Sequence, residues 1–301
     1  MIDTDSKIRL IKSRLKKAYT LLESCHVCPR ACGVNRLKGE TGFCGMGFRP
    51  VVSSDNLHHG EEPPISGYRG SGTIFLTGCN LGCIFCQNYP ISHLRHGNPI
   101  TLPRLADKML RLQRAGAHNI NVVTPTHFAP QIMEALLIAY EKGLNIPIVY
   151  NCGGYEPMEM LKLWDGIVDI YMPDMKYSDP EMAETYSYAP DYPEVNRKAI
   201  NEMYRQVGDL HLDEEGIAQR GLLIRHLVLP ENISGTEHIL RFIGEKISTN
   251  TYISLMSQYF PAHKAVFMPP LSRRITHAEY KKAKAYLQYF GLHRGWVQYH
   301  S

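Results

Sequence analysis

Beyond residue 70 the chain alternates short apolar runs with helix-period segments, and this alternation restricts the fold more than any other feature. The runs are TIFLT (73–77), INVVT (120–124), IPIVYN (146–151), VDIYMPDMK (168–176), LLIRHLVLP (222–230) and YISLMSQY (252–259). They are nearly continuous apolar stretches rich in Val, Ile and Tyr, as strands covered on both faces are. Helical segments separate them. Thr101 caps one that runs through Leu105, Met109 and Leu112, with Gly116 beyond its end. Pro130 opens a second through Ile132, Leu136 and Tyr140, and a third carries Met160, Leu163 and Trp164. A β-α order repeated through six strands predicts a parallel sheet with right-handed crossovers. Six units are two short of a closed eight-stranded barrel. The expected fold is therefore α/β, a partial (β/α)6 TIM-like barrel with an N-terminal Cys-rich extension and a C-terminal helix.

The expected organisation has three parts. Residues 1–70 form an N-terminal helix and a Cys-rich metal-binding extension, 71–262 the barrel, and 263–301 a C-terminal extension packed on it. Ile8, Ile11, Leu15, Tyr19 and Leu22 recur at helical spacing, which reads as a surface helix docked on the body. Thr276 and Glu279 make a capping box for a terminal helix. The long link 178–220 carries a helix near PEVNRKAINEMYRQVG and a hairpin turn at LDEEGIAQ, and reads as an excursion over the barrel mouth. A formal net charge of +4 in 301 residues is too mild to point to nucleic acid. No apolar run approaches bilayer length and no signal-peptide core opens the chain, so a cytoplasmic protein is expected.

Seven of the eight cysteines precede residue 90, in two groups. A chain without a secretion signal uses such clusters for metal or iron–sulfur ligation rather than disulfides. Cys79, Cys83 and Cys86 lie directly after the first strand, where the chemistry of a parallel barrel gathers. Cys-x3-Cys-x2-Cys is not a zinc-finger spacing. Three thiolates in one loop suit a [4Fe–4S] cube with one iron left free of protein. The alternative is a closed metal knot whose fourth ligand is His93 or His96.

The loop, its place after strand one and Phe85 before the last cysteine resemble the radical S-adenosylmethionine (radical SAM) superfamily. In that family the open iron takes the amino and carboxylate groups of S-adenosylmethionine. The reduced cluster then cleaves it to a 5′-deoxyadenosyl radical, which abstracts hydrogen from a substrate. The stretches CHVCPRACGVNRLKGETGFCG, GCNLGCIFCQNYPIS, NVVTPTH, YNCGGYE, YMPDMKY, RHLVLP, MSQYFP, RRITHAEY and GWVQ narrow the resemblance. Together they resemble the PflX-type proteins related to pyruvate formate-lyase activating enzyme, over nearly the whole chain. The resemblance implies an oxidoreductase that makes a glycyl radical on a partner protein, with flavodoxin or ferredoxin as electron donor. Other peptides, metabolites or nucleic-acid bases stand as alternative targets, and a non-catalytic metal-binding scaffold as an alternative of another class.

The resemblance also suggests where S-adenosylmethionine is held. Relatives carry Gly-Gly-Glu after the second strand; here Thr124, Thr126 and His127 occupy that place. Asp174 and Lys176 match the Asp-x-Lys of activating enzymes near the methionine carboxylate, and their parity puts both on one strand face. Asn151 ends the third strand at a ribose or cation position. Arg225, a charge inside an apolar run, must face the lumen and pair or break the pattern. Cys152 reads as a small buried thiol. Cys25, Cys28, Cys32 and Cys44 precede the first strand, whereas the auxiliary clusters of activating enzymes follow the first cluster. They suit a structural zinc site or a second iron–sulfur cluster, and the structural site is preferred.

Overall fold

The computed structural model describes residues 3–299. Helix α1 (Thr4–Thr20) is followed by the cysteine-bearing segment and then strand β1 (Val51–His58). The barrel proper comprises β2 (Ser71–Leu76), α2 (Leu102–Arg114), β3 (Ile120–Val123), α3 (Ala129–Glu141), β4 (Ile148–Cys152), α4 (Met158–Trp164) and β5 (Ile170–Pro173). It continues with α5 (Pro180–Ser187), α6 (Tyr192–Val207), β6 (Ala218–Leu227), α7 (Thr236–Phe242) and β7 (Tyr252–Met256). Helix α8 (His277–Tyr289) and the short β8 (Gly295–Val297) follow.

Strands β2 through β7 are all parallel and adjacent in chain order, so the six expected βα units are present. The sheet does not close. It carries β1 antiparallel on the β2 edge and β8 parallel on the β7 edge. Residues 51–58, expected within the extension, thus run in the barrel's sheet. The link between β5 and β6 differs from the expectation of an excursion. Helix α6 is the crossover helix itself and buries Ala199, Ile200, Met203 and Val207; α5 and the first turns of α6 border the strand-end loops. The turn at 213–216 does make a hairpin, pairing His211–Leu212 with the start of β6.

The local signals behave as their chemistry requires. Thr101 accepts the Arg104 N–H at 3.4 Å and starts α2. The Thr276–Glu279 box is reciprocal, which satisfies two otherwise orphaned amides of α8. Helix α1 buries Ile11 and Ala18 completely against the barrel helices. Burying one such Ile stabilises by about 2 kcal/mol. Its Lys7 reaches Asp169 just before the start of β5, 2.5 Å away, with both side chains under 7% exposed.

Register decides what faces the lumen. Asn121 stands beside Val149 and Val149 beside Ile170; one layer on, Val123 stands beside Asn151 and Asn151 beside Met172. Leu223 pairs with Tyr252, and Arg225 bridges both Asp174 and Ser254. The lower lumen is apolar, filled by Val149, Ile170, Met172 and Leu223 and plugged from below by Ile65 of the turn Pro63–Ser66. Polarity rises toward the C-terminal ends. Among the described residues no helix is long and apolar enough to cross a membrane.

Candidate functional site at the strand ends

The loop from Gly78 to Asn88 leaves β2 at the C-terminal rim. Gly78 and Gly82 both have left-handed backbone, at φ +83° and +72°. A Cβ at Gly78 would fall 2.7 Å from the Met46 side chain, and one at Gly82 would meet the Phe43 ring at 3.0 Å. Only glycine turns the chain so sharply against a neighbouring wall. The Leu81 N–H points at Cys79 Sγ (3.3 Å) and the Ser92 hydroxyl at Cys86 Sγ (3.1 Å), the donors a thiolate requires.

Cys79, Cys83 and Cys86 line one cavity together with Thr124, Asn151, Cys152, Asp174, Lys176 and Arg225. Burial pushes the Cys83 thiol up to about 12, and the Lys176 ammonium pulls against it. Burial raises Cys86 as well, opposed by the Ser92 hydroxyl. Across the cavity Asp174 sits between two cations. Lys176 Nζ donates to one carboxylate oxygen at 2.5 Å and Arg225 Nε to the other at 2.9 Å. Burial would raise Asp174, but Arg225 and then Lys176 outweigh it and hold the carboxyl below its ordinary value. The network continues downward. Arg225 also faces Glu61 at 3.6 Å, and Glu61 accepts from Asn121 (3.1 Å) and Asn151 (3.4 Å). Burial pushes Glu61 up to about 7 against the pull of Arg225.

The other residues expected at or near the site can be placed plainly. Asn151, Asp174, Lys176, Arg225 and Thr124 face the cavity with the three cysteines. Thr124 has φ +58°, a strained conformation for a β-branched residue, and its N–H is held by the Asn151 carbonyl at 2.8 Å. Thr126 turns away, because the 3-10 turn Thr126–Phe128 shifts the parity; its hydroxyl bonds Glu156 at 2.6 Å. Phe85 lies behind the loop, edge-on to Tyr177 and Tyr259, and borders an adjoining cavity. His127 is fully buried, and its Nε2 meets the Thr77 carbonyl. Burial, then Arg36, lowers it to about 3, so it stays neutral. The His93 Nε2 is engaged with the Cys83 carbonyl at 3.0 Å, and His96 is exposed, so neither side chain closes the cysteine loop. Cys152 is buried, as expected.

Three groups escaped the sequence reading. Glu61 enters the lumen from the turn after β1. Tyr192 donates to the carbonyls of Gly153 (2.9 Å) and Asp174 (3.1 Å) and accepts the Lys176 N–H (3.0 Å), with Asn196 beside it. Glu156 takes hydrogen bonds from Thr126 and Tyr150 beneath the rim. The pairing of β1 with β2 and the packing of α6 bring the first two in, and neither is a local pattern.

Residues 73–243 match the family model described as the radical SAM superfamily. The chain belongs to the radical SAM superfamily. "Uncharacterized protein MJ0674" of Methanocaldococcus jannaschii is 32% identical over 296 residues, spanning 95% of this chain and 80% of its own. "Uncharacterized protein MJ0808" of the same organism is 23% identical, over 82% and 73% respectively. A radical SAM methyltransferase from Sphaerobacter thermophilus superposes with a TM-score of 0.48 at 14% identity, covering 75% of this chain and 66% of that one. Membership of the radical SAM superfamily brings a [4Fe–4S] cluster and S-adenosylmethionine as cofactors. The cavity suits both. It presents three thiols on one wall, cations opposite, and the buried Asn151 Oδ1, which has no hydrogen-bond partner among the described residues. Among the described residues no three His, Cys, Asp or Glu side chains are already closed to single-ion spacing.

Proposed function

We propose that this radical SAM enzyme activates a glycyl-radical enzyme, taking a hydrogen atom from a glycine of that partner protein. The observation that carries the reading is the Asp174–Lys176 pair, which faces the three-cysteine loop across one cavity. Its Asp-x-Lys spacing is that of the activating enzymes this chain resembles. Bound there, the cluster and S-adenosylmethionine supply one-electron reductive cleavage and a hydrogen-abstracting radical.

The chain's own part is binding and orientation. Cys79, Cys83 and Cys86 hold the cluster. Lys176 offers an ammonium to the methionine carboxylate while Asp174 keeps that side chain in place. Asn151 presents an unpaired carbonyl oxygen to a hydroxyl or ammonium of the cofactor. The strained turn at Thr124 brings backbone to the rim where Gly-Gly-Glu stands in relatives. The electron donor is an acidic flavodoxin or ferredoxin. Arg95 and Lys264 stand within electrostatic reach of His93 beside the cysteine loop, and residues 63–106, which contain the loop, have no Asp or Glu, a charge balance suited to an acidic donor.

The test uses cluster-loaded, reduced protein. It releases 5′-deoxyadenosine and methionine, and Cys83→Ala abolishes both. Incubation with a candidate glycyl-radical enzyme then yields a glycyl doublet in electron paramagnetic resonance. Cofactor cleavage without a doublet on any glycyl-radical enzyme of the same genome refutes the activase reading and leaves the family chemistry standing.

A further inference from the structure

Strand β5 ends at Pro173, yet Asp174 and Lys176, the two side chains that face the cysteine loop across the cavity, come after that end. We propose that Tyr192 and Asn196 of α6 are positioning residues. They carry the β4–β5 ladder past its end and so set how tightly S-adenosylmethionine is held. The inference rests on Lys176 meeting the methionine carboxylate, as proposed above, and not on whose hydrogen is abstracted.

The backbone shows why such a support is needed. The Asp174 N–H still bonds the Cys152 carbonyl of β4 at 2.9 Å, and the Met175 N–H bonds the Arg225 carbonyl of β6 at 2.9 Å. In a parallel ladder the Lys176 N–H turns back to the β4 side. There the β4 chain leaves the sheet. Gly154 is left-handed, at φ +72°, and a Cβ on it would fall 2.3 Å from the Asp174 carbonyl oxygen and 2.2 Å from Asn196 Nδ2. Only glycine allows so close a crossing. The Tyr192 hydroxyl fills the break. It accepts the Lys176 N–H at 3.0 Å and lies 2.9 Å from the Gly153 carbonyl and 3.1 Å from the Asp174 carbonyl, to which it donates. One helical turn on, the Asn196 amide donates to the Gly154 and Asp174 carbonyls, both at 3.0 Å. Their i, i+4 spacing puts the two side chains on one face of α6.

Both side chains are fully buried. The Tyr192 ring stands edge-on to Tyr177 at 5.6 Å between centroids, and Tyr177 stands edge-on to Phe85 of the cysteine loop at 6.3 Å. The phenol that holds the Lys176 backbone is therefore steadied from the cluster side. A second buried phenol ties the same helix to β5. Tyr171 donates to Gln206 Oε1 at 2.7 Å, near the far end of α6. It borders no part of the cavity, so it supplies a matched structural control.

The consequence falls on binding. Gly153, Asp174 and Lys176 all line the cavity, whereas Tyr192 and Asn196 do not. A lysine ammonium rides on a flexible four-carbon stem, so its position depends on where its backbone is fixed. Fixing that backbone in advance removes an ordering cost from ligand binding. The two residues act through Lys176 and Asp174 and touch no reacting atom.

The experiment compares Tyr192→Phe, which keeps the ring and loses the hydroxyl, with Tyr171→Phe. Cluster-loaded protein is titrated with S-adenosylmethionine, and the electron paramagnetic resonance signal of the reduced cluster reports the bound cofactor. Tyr192→Phe should raise Kd and KM about tenfold, with kcat within about threefold of the parent. Tyr171→Phe should lower the urea midpoint and leave Kd unchanged. A Kd shift no larger in Tyr192→Phe than in Tyr171→Phe overturns the proposal. Cluster-free protein gives a readout that needs no cofactor. Amide hydrogen exchange over residues 174–177 should be about tenfold faster in Tyr192→Phe and unchanged in Tyr171→Phe; equal exchange in both overturns the proposal. Asn196→Ala should shift both readouts in the same direction, and it carries the test if Tyr192→Phe does not fold. Lys176→Met separates the two claims. If it binds S-adenosylmethionine as the parent does, the placing of Lys176 fails and this inference falls with it. If it weakens binding while Tyr192→Phe does not, the inference alone fails.

Discussion

Replacing Asp174 with Asn tests whether the Asp174 carboxylate organises the cofactor cavity. Asn keeps the shape and one acceptor but removes the charge that Lys176 (2.5 Å) and Arg225 (2.9 Å) share. Breaking a buried ion pair by removing one partner costs about 3–5 kcal/mol, because the other charge is left uncompensated. The three side chains keep 13–20% exposure and Arg225 retains Glu61 at 3.6 Å. Both facts place the expected loss near the lower end, about 3 kcal/mol. For a chain of this size that is a fall in Tm of roughly 6 °C, measured by circular dichroism on cluster-free protein. The pH dependence has a definite sign. Asp174 is held below its ordinary value of 3.8, so its contribution is present above that value and is lost as pH falls through the lower, folded-state value. The Asn variant lacks that acid-side dependence. Lys176→Met in the Asp174→Asn background should restore part of the loss, with a coupling energy of about 1–3 kcal/mol. In loaded protein, S-adenosylmethionine affinity should fall about tenfold, the equivalent of 1.4 kcal/mol. A Tm within 1 °C or so of the parent, together with additive single variants, would refute the claim that the pair is coupled.

Three further outcomes follow from other charges. Glu61→Gln leaves the Asn121 and Asn151 hydrogen bonds a carbonyl acceptor but removes the second of Arg225's two anions, leaving Asp174 alone, so S-adenosylmethionine Kd should rise several-fold, on the order of 1 kcal/mol, in equilibrium dialysis. Burial lifts Glu156 to about 7 from 4.5, so its stabilising contribution is complete below about 4.5 and is lost as pH rises through 7; Glu156→Gln should flatten that slope in urea melts, an effect of roughly 3 kcal/mol at most. Lys7→Met takes the cation from the buried Asp169 carboxylate, which keeps the Ile148 N–H at 2.9 Å, and should cost about 3–5 kcal/mol, seen as a lower urea midpoint at unchanged slope.

What could be read from sequence was whatever a short window of chain determines. Strand runs, the Thr101 cap and the Thr276–Glu279 box depend on neighbours within a few residues, and each appears where its chemistry places it. The parity of Asp174 and Lys176 needs only the period of two, and both face the cavity. Arg225 was legible as a conflict, a charge in an apolar run, and the register of β5 with β6 resolves it by setting it beside Asp174. Thr126 went astray because a 3-10 turn breaks the parity that a strand reading extends past Thr124. Glu61 was illegible for a different reason. In the stretch HHGEEPPIS two adjacent glutamates before two prolines have the composition of a solvated turn. Only the antiparallel pairing of β1 with β2, a contact across the sheet edge, swings that turn under the lumen.

That edge strand gives the residues before β2 a role beyond an appendage. A barrel of six strands leaves both sheet edges unpaired and its lower lumen open to water. Here β1 covers one edge, Ile65 plugs the apolar layer, and Glu61 rises through the layer above to meet Arg225. From the opposite side of the same segment, Arg30 and Phe43 brace the cluster loop from outside. The residues before β2 therefore reach the cofactor cavity twice, once from below through a carboxylate and once from the rim through a guanidinium. Replacing Arg30 and Phe43 together with Ala would test the second route alone, since β1, Glu61 and the Lys7–Asp169 pair remain. Cluster retention should then fall while the Glu61–Arg225 contact, reported by the pH dependence of S-adenosylmethionine binding near 7, persists. Loss of both together would mean that the two routes are one cooperative unit.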